Sequence, residues 1–587
     1  RIGVFSILLV FKLMQELGLT VEEIDTMTGP VSGRPKSATF RTCDVVGIDT
    51  LVKVADNLYQ DCPDDESREF YQVPEFIRTM INNGWIGDKG GQGFYKKVKE
   101  NGKSEILALN VNTLEYSPQN KTRFDSIGKA KQSDDLKERI RILYSAKDKV
   151  GEFTRAFYNR LFAYATHRVP EIADETYKID EALKAGFGWE IGVFEAWDAL
   201  GTEQVTAELS KQEYSTNNWL AENSELKSFY TVKDQTRKFF NQKTGQYEAI
   251  PGSSNYIILE TLKPKKVVWQ NAGCSIIDIG DDVLCVEFHS KMNTMGGEVI
   301  QGINKGIELA EKNYAGVVIG NDGQNFSAGA NLGMIFMFAV EQEWDELNFA
   351  ISAFQKTMMR ARYSSIPVVA ATFNLALGGG CELSLHADAV QASAETYIGL
   401  VEFGAGVIPG GGGTKEFALR ASDSYYNGDP ELPLLNERFM TIATAKVATS
   451  AHEAFDLGIL QKGKDRITMN RQRLLSDAKE RVLELANAGY TQPSQRTDIK
   501  VLGRSALGGL LAGAYAMQQA NYITEYDLHI AQKLAHVICG GDLSYPQLVS
   551  EQYLLNLERE AFLSLLGERK TLERIQSLIK TGKPLRN

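Results

Sequence analysis

Residues 374–414 contain two glycine-rich segments, NLALGGGCELSLHAD (374–388) and YIGLVEFGAGVIPGGGGT (397–414). They carry two acidic residues, Glu382 and Glu402, in otherwise apolar surroundings. Glycines let the backbone come close to a ligand, and the N–H groups at the start of a helix can then point at it. This stretch therefore predicts a site that is lined by peptide N–H groups and flanked by two carboxyl groups.

A second glycine-bearing loop, NDGQNFSAGANLG (321–333), lies ahead of this stretch. Each loop follows a short apolar run, AGVVI at 315–319 and PVVAAT at 367–372. Short runs rich in β-branched residues that end in Gly or Asn are typical of buried strands. Two strand–loop–helix units in succession predict one site lined by N–H groups, and the two carboxyl groups close to it suggest acid–base chemistry on whatever the N–H groups hold.

Length and composition limit the possible classes of protein. The chain has 587 residues, 43% of them hydrophobic and 24% charged, which is typical of a soluble globular protein of roughly three or four domains. The formal net charge is -11, and no long basic block is present. This charge argues against nucleic acid or an anionic membrane as the main partner.

Cysteine and histidine usage gives further limits. The six cysteines are scattered and form no CxxC motif, which is typical of free thiols in a reducing compartment, and we expect a cytoplasmic location. The six histidines form no HExxH or HxxxH spacing, so no metal site is predicted. No run of 18 apolar residues occurs, and no membrane span is expected.

The first block of the chain, residues 1–97, has a helical pattern. Its segments GPVSGRPKSATFRTCDVVGID (29–49) and GWIGDKGGQGFYKK (84–97) resemble the C-terminal helical domain of 3-hydroxyacyl-CoA dehydrogenases. That family carries an NAD-binding domain first, yet no strand followed by GxGxxG occurs in the first hundred residues, nor the family's His–Glu pair. We therefore expect a chain that lacks the NAD-binding domain, whereas its full-length parent would use NAD.

Residues 98–209 are interpreted as a connection followed by a second, degenerate copy of the helical domain. The sequence Asp198-Ala-Leu-Gly201 repeats Asp44-Val-Val-Gly47, each after an Ile-Asp pair and a glycine turn. Such duplication resembles fused multifunctional β-oxidation proteins, and the alternative is a chance similarity of two glycine-turn helices. Residues 210–265 are predicted to be a linker.

The remaining motifs occur in one order: FSAGANL (326–332), ALGGGCEL (376–383) and GLVEFGAGVIPGGGGT (399–414). Together they strongly resemble the crotonase, or enoyl-CoA hydratase, family. The resemblance implies a ClpP/crotonase-like α/β core over residues 266–435, with a helical C-terminal part and extension over 436–587. The expected fold class is thus multidomain, with all-α dehydrogenase-like domains followed by this α/β domain.

The resemblance also implies roles for single residues. The N–H groups of Ala330 and Gly379 would form an oxyanion hole for a thioester oxygen. Glu382 would deprotonate a water that attacks the β-carbon, and Glu402 would exchange the proton at the α-carbon. Two positions depart from the family pattern, because Asn331 replaces an Asp and Val401 replaces a Pro. The expected substrate-binding residues are Ala328, Gly329, Gly378 and Gly410.

We expect this chain to be a fatty-acid β-oxidation enzyme that hydrates trans-2-enoyl-CoA to 3-hydroxyacyl-CoA. Hydration requires no cofactor, and the CoA thioester is the substrate. The open alternatives are a crotonase-fold isomerase, an acyl-CoA hydrolase, and a non-catalytic scaffold for β-oxidation partners. The resemblance further implies a homo-oligomer and, as pathway partners, thiolase and acyl-CoA dehydrogenase.

Overall fold

The first block, which has a helical sequence pattern, and the later domain, which has β-branched runs, fold as two separate units. In a computed structural model that describes residues 1–100, 103–120, 122–133, 135–233 and 236–587, the chain forms two compact units, Arg1–Ser254 and Asn255–Asn587. None of the helices in these ranges is long and apolar enough to cross a bilayer.

The first unit is mainly helical. Its helices are α1 (Ile2–Leu17), α2 (Val21–Met27), α3 (Phe40–Val46), α4 (Ile48–Asp61), α5 (Glu75–Asn82), α6 (Asp125–Ala130), α7 (Leu136–Ser145), α8 (Lys149–Glu171), α9 (Thr176–Phe187), α10 (Val193–Leu200), α11 (Thr202–Lys211) and α12 (Asn218–Glu222). Two small antiparallel sheets accompany them, β1 (Tyr95–Glu100), β2 (Lys103–Asn110) and β3 (Glu115–Pro118), and β4 (Tyr230–Lys233), β5 (Thr236–Asn241) and β6 (Gln246–Ala249).

An aspartate connects each small sheet to its helices in the same way. The Asp44 carboxylate accepts hydrogen bonds from the Phe94 and Tyr95 N–H groups at 2.8 and 2.9 Å. In the second half, Asp198 accepts from the Phe229 and Tyr230 N–H groups at 2.7 and 2.8 Å. Each aspartate therefore fixes the chain where it enters a small sheet.

A second pair of aspartates repeats the correspondence. The Asp25 carboxylate accepts hydrogen bonds from the Phe40 and Arg41 N–H groups and from the Tyr95 hydroxyl. Asp180 accepts from the N–H groups of Phe194 and Glu195 and from the Tyr230 hydroxyl. Two aspartates and one tyrosine with matching partners support the internal duplication proposed from the sequence.

Residues 210–265 differ from the predicted linker. Residues 218–249 contain α12 and the second small sheet, where the side chains of Trp219, Phe229 and Phe239 are buried. These aromatic side chains remove a large apolar area from water, and that burial orders a segment whose sequence is otherwise polar. The prediction of a linker was wrong for this part of the chain.

The second unit contains one seven-stranded sheet and its covering helices. The strands are β7 (Val267–Gln270), β8 (Cys274–Asp278), β9 (Val283–Phe288), β10 (Gly316–Ile319), β11 (Val368–Leu377), β12 (Ala389–Gly399) and β13 (Arg466–Thr468), in the spatial order β13-β12-β11-β10-β9-β8-β7. Strands β9 to β13 pair in parallel, whereas β7 and β8 are antiparallel. The loops that leave β10 and β11 therefore meet at one edge of the sheet.

Helices cover this sheet and form the C-terminal part. They are α13 (Leu259–Lys266), α14 (Gly297–Asn313), α15 (Leu332–Val340), α16 (Trp344–Arg362), α17 (Gly379–His386), α18 (Gly413–Asp423), α19 (Glu431–Ala443), α20 (Ala451–Asp456), α21 (Leu474–Asn487), α22 (Gly503–Gln519), α23 (Glu525–Ile538), α24 (Glu551–Leu566) and α25 (Arg569–Thr581). Strands β14 (Ile499–Val501) and β15 (Gln547–Val549) form a two-stranded sheet, which pairs the segment before α22 with the segment before α24.

Replacement of Asp44 by Ala is expected to destabilise the first unit by about 3 kcal/mol, because two buried N–H groups lose a charged acceptor. Urea unfolding followed by tryptophan fluorescence measures this loss, since Trp85, Trp189, Trp197 and Trp219 lie in that unit. The control is the exposed Asp61→Ala on α4. Equal midpoints for the two variants would contradict the role of Asp44.

Candidate active site

The turn between β11 and α17 brings the backbone close to Glu402. Gly378 has φ of 51°, a left-handed conformation that side chains disfavour, and its N–H donates to the Gly399 carbonyl at 2.9 Å. A Cβ atom at Gly378 would lie 3.0 Å from Glu402 Oε1. Only a glycine therefore lets the turn and this carboxyl group lie so close together.

Two peptide N–H groups face the same space. A Cβ atom at Gly379 would lie 3.5 Å from the Ala330 nitrogen, and one at Gly329 would lie 3.4 Å from the Gly379 nitrogen. Within the part of the chain that the structure describes, neither the Ala330 N–H nor the Gly379 N–H donates a hydrogen bond. The two loops thus present a pair of free donors, an arrangement suited to an oxygen that gains negative charge.

Glu382 lies on the first turn of α17 and is 2% exposed. Its Oε1 accepts hydrogen bonds from the Gly411 N–H at 2.7 Å and from the Gly413 N–H at 2.9 Å. Burial raises the pKa of Glu382 to about 7, although these two N–H groups favour the carboxylate. A carboxyl group with this pKa can take up and release a proton near neutral pH.

Glu402 begins a short 3₁₀ helix, Glu402–Ala405. Its Oε2 atom is buried and has no hydrogen-bond partner. Burial and the neighbouring Glu382 carboxylate raise the pKa of Glu402 well above its usual value. An unpartnered, proton-holding carboxyl group beside the two free N–H groups is a candidate acid.

The structure brings the predicted site residues to one edge of the sheet. One of them, Gly410, also contacts a helix of the C-terminal part. Ala328 and Gly329 lie in the loop after β10, and Gly329 has φ of 100°. Gly410 is buried, and a Cβ atom there would lie 2.9 Å from the ring of Phe562. Gly410 therefore packs against α24.

Apolar side chains surround the N–H pair. A Cβ atom at Gly379 would meet the Phe354 ring at 2.9 Å and the Met295 sulfur at 3.6 Å. Helix α15, whose sequence is LGMIFMFAV, has only Ala339 fully buried. Its other apolar side chains retain some exposure, which favours a wall of a pocket over the interior position that its composition alone would suggest.

His386, on the last turn of α17, lies behind Glu382. Its Nδ1 is 2.7 Å from the Glu382 carbonyl oxygen, and its Nε2 is 2.9 Å from the Lys415 ammonium. Burial and the Lys415 charge lower the pKa of His386 well below its usual value, so the ring is neutral. These contacts indicate a structural role for His386.

Two residues near the site were missed by the sequence analysis. Lys415 is fully buried and pairs with Glu416 and Glu551 at 2.6 and 3.3 Å. Glu558, also fully buried, accepts the Thr414 N–H from a position 144 residues further along the chain. No motif around Glu558 marks it, because its hydrogen bonds join distant segments of the chain.

Groups of three or more His, Cys, Asp or Glu side chains with metal-site geometry are lacking among the described residues. The first unit contains only antiparallel strands in its described ranges, whereas NAD in dehydrogenases binds a parallel βαβ unit. The described strands of the first unit thus provide no βαβ unit of the kind that binds NAD.

Comparisons with known proteins agree with both units. The sequence model of the enoyl-CoA hydratase/isomerase family matches residues 278–424, and that of the 3-hydroxyacyl-CoA dehydrogenase C-terminal domain matches residues 1–97. A probable 3-hydroxyacyl-CoA dehydrogenase of Bacillus subtilis is 43% identical over 590 residues, which cover 100% of this chain and 73% of that protein. A putative fatty acid oxidation complex trifunctional enzyme of Rickettsia prowazekii is 26% identical over 585 residues, 99% of this chain and 72% of that protein.

The buried Glu382 carboxyl group should make folding stability depend on pH. Its pKa is about 7 in the folded chain against 4.5 for the free side chain, so between these values the folded state binds more protons and stability falls as pH rises. In the wild type this loss is at most about 1.4 kcal/mol for each pH unit. Glu382→Gln removes the titrating group and with it this loss. Thermal unfolding at pH 5 and pH 8 should show the variant gaining stability relative to wild type at pH 8.

The matched control is Glu395→Gln, an exposed carboxyl group on β12. It should follow the wild type at both pH values. A Glu382→Gln variant whose stability difference from wild type does not change with pH would contradict the raised pKa.

Proposed function

Because this chain belongs to the family of fatty-acid oxidation enzymes that join a 3-hydroxyacyl-CoA dehydrogenase C-terminal domain to an enoyl-CoA hydratase domain, we propose that its second unit hydrates trans-2-enoyl-CoA to 3-hydroxyacyl-CoA. One observation supports this reaction above all. Two free peptide N–H groups lie beside two carboxyl groups, the buried Glu382, which is bound by N–H donors, and Glu402, whose buried Oε2 atom has no partner. Hydration needs these four groups at one place.

The N–H groups of Ala330 and Gly379 hold the thioester carbonyl oxygen. As water adds at the β-carbon, electron density moves onto this oxygen and gives it enolate character. Fixed N–H donors in an apolar site stabilise that charge without reorganisation, and one such donor contributes on the order of 3 kcal/mol. The nearby Phe354 and Met295 side chains keep the site apolar.

The two carboxyl groups divide the proton transfers. Glu382, whose carboxylate is favoured by the Gly411 and Gly413 N–H groups, accepts a proton from water as the water oxygen bonds to the β-carbon. Glu402, whose pKa is raised further, starts protonated and donates its proton to the α-carbon. After the reaction Glu382 holds a proton and Glu402 has lost one. Glu382 then releases its proton and Glu402 takes one up from solvent, so the pair returns to its first state with no net change in protons.

Isomerisation of an enoyl-CoA is the second candidate. It moves a proton between two carbons and needs no water, so Glu402 alone could carry it. The unpartnered Glu402 Oε2 next to the N–H pair favours this possibility. The chain retains Glu382 as well, and a second carboxyl group has no task in that reaction, so we place hydration first.

The wider context of the enzyme is also proposed. We also propose that residues 1–97, which match the dehydrogenase C-terminal domain, take part in NAD-dependent oxidation of the 3-hydroxyacyl-CoA product. On the same grounds we propose a homo-oligomer, a cytoplasmic location, and thiolase and acyl-CoA dehydrogenase as pathway partners.

Glu382→Gln and Glu402→Gln are each expected to lower the rate of crotonyl-CoA hydration by about 10²-fold or more, because each removes one acid–base group. The assay follows the loss of enoyl thioester absorbance. Glu395→Gln is the control and should retain the wild-type rate. Full activity in either active-site variant would refute the assigned role.

The same variants separate the two candidate reactions. With a 3-enoyl-CoA substrate, an isomerase would lose activity in Glu402→Gln and keep it in Glu382→Gln. A chain that isomerises this substrate and does not hydrate crotonyl-CoA would replace the proposed reaction by the second candidate.

A further inference from the structure

Glu558 contacts the segment that serves Glu382. Its Oε1 accepts a hydrogen bond from the Gly412 N–H at 2.5 Å, and its Oε2 accepts from the Thr414 and Lys415 N–H groups at 2.8 and 3.1 Å. The Glu558 side chain lies on α24 and is fully buried. Both carboxylate oxygens are thus used on the first turn of α18, where a negative charge is favoured.

The N–H groups of residues 411–415 are shared between two carboxylates. Those of Gly411 and Gly413 donate to Glu382, whereas those of Gly412, Thr414 and Lys415 donate to Glu558. A shift of this segment toward or away from α24 would therefore move both N–H groups that Glu382 accepts. The hydrogen bonds that orient the Glu382 carboxylate therefore depend on the position of Glu558.

The packing of α24 reinforces this contact. A Cβ atom at Gly412 would lie 3.3 Å from Leu555, and one at Gly410 would lie 2.9 Å from Phe562. Leu555, Glu558 and Phe562 are spaced by three and four residues, so they lie on one face of the helix. That face lies against the glycine segment on both sides of the Glu558 hydrogen bonds.

We propose that Glu558 is a positioning residue of the hydration site, which holds residues 411–415 so that the Gly411 and Gly413 N–H groups orient the Glu382 carboxylate. The inference rests on the proposed function of the second unit. It also assigns α24, which lies outside the segment 278–424 matched by the hydratase family model, a part in building the site.

Other charges near Glu558 are already paired or belong to the site. Lys415 on α18 pairs with Glu416 and with Glu551 of α24 itself. On the neighbouring helices, Arg362 of α16 pairs with Glu416, and Arg574 of α25 pairs with Asp527 of α23. The titratable groups that face Glu558 are Glu382 on α17, Glu402, and Lys415 on α18. Burial and Glu382 raise the pKa of Glu558, whereas the N–H groups that it accepts and the Lys415 charge lower it.

Glu558→Gln is the direct test in the full chain. A glutamine would turn its NH₂ group toward at least one of the three N–H donors, so the segment loses part of its anchor. We expect kcat for crotonyl-CoA hydration to fall 10- to 100-fold. The control is Glu560→Gln, an exposed carboxyl group two residues away on α24, which should keep the wild-type rate.

The pH dependence separates positioning from a loss of folded protein. Loosening residues 411–415 weakens the Gly411 and Gly413 hydrogen bonds that favour the Glu382 carboxylate, so the pKa of Glu382 should rise and the acidic limb of the kcat/KM profile should move to higher pH. Glu558→Asp has a shorter reach and should move the limb in the same direction while kcat falls. A smaller folded fraction would scale the rate at every pH and leave the limb in place.

Amide hydrogen exchange gives a readout that does not depend on activity. In Glu558→Gln, exchange should become faster at residues 411–415, and Glu560→Gln should match wild type. Unchanged exchange there, an unchanged kcat, or a rate loss that is equal at all pH values would each overturn the inference. If wild type and Glu560→Gln both fail to hydrate the thioester, the proposed function fails, and the exchange data still show whether Glu558 holds the segment.

Discussion

Five successive peptide N–H groups, from Gly411 to Lys415, bind two buried carboxylates, and the geometry of the site depends on this arrangement. A buried carboxylate is unfavourable unless donors surround it. Here the donors come from the start of α18, where the backbone also offers a positive partial charge. The glycines at 410–413 make this possible, since a side chain there would meet Phe562, Phe354, His386 or Pro409.

The same constraint explains why Glu382 and Glu402 differ although they lie close together. Glu382 receives two N–H bonds, which favour its charged form, whereas Glu402 Oε2 receives none. Burial raises the pKa of both, and the charge on Glu382 raises that of Glu402 further. Two identical side chains thus acquire a basic and an acidic character from their surroundings, which are N–H donors at Glu382 and burial beside a carboxylate at Glu402.

The sequence was most informative where function imposes a local pattern. The glycine loops, the strands before them, and the glutamates at 382 and 402 could be located because turns with left-handed glycines and buried strands have short-range signatures. Glu558, Lys415 and the fold of residues 218–249 could not be located, because each depends on partners far along the chain. Burial orders Trp219 and Phe229, but these single aromatic residues lie among mostly polar ones, so a local sequence pattern does not reveal them.

The paired aspartates of the first unit carry a consequence for how its two halves evolve. Asp25 and Asp180 accept hydrogen bonds from the backbone N–H groups of residues 40–41 and 194–195, so they place no demand on the side chains at those positions. At one such position the first half has Arg41, bound to Asp88, and the second has Glu195, bound to Lys184 and Arg237. Because the aspartates hold the main chain, a side chain at such a position can change even the sign of its charge while the architecture of the two halves stays the same.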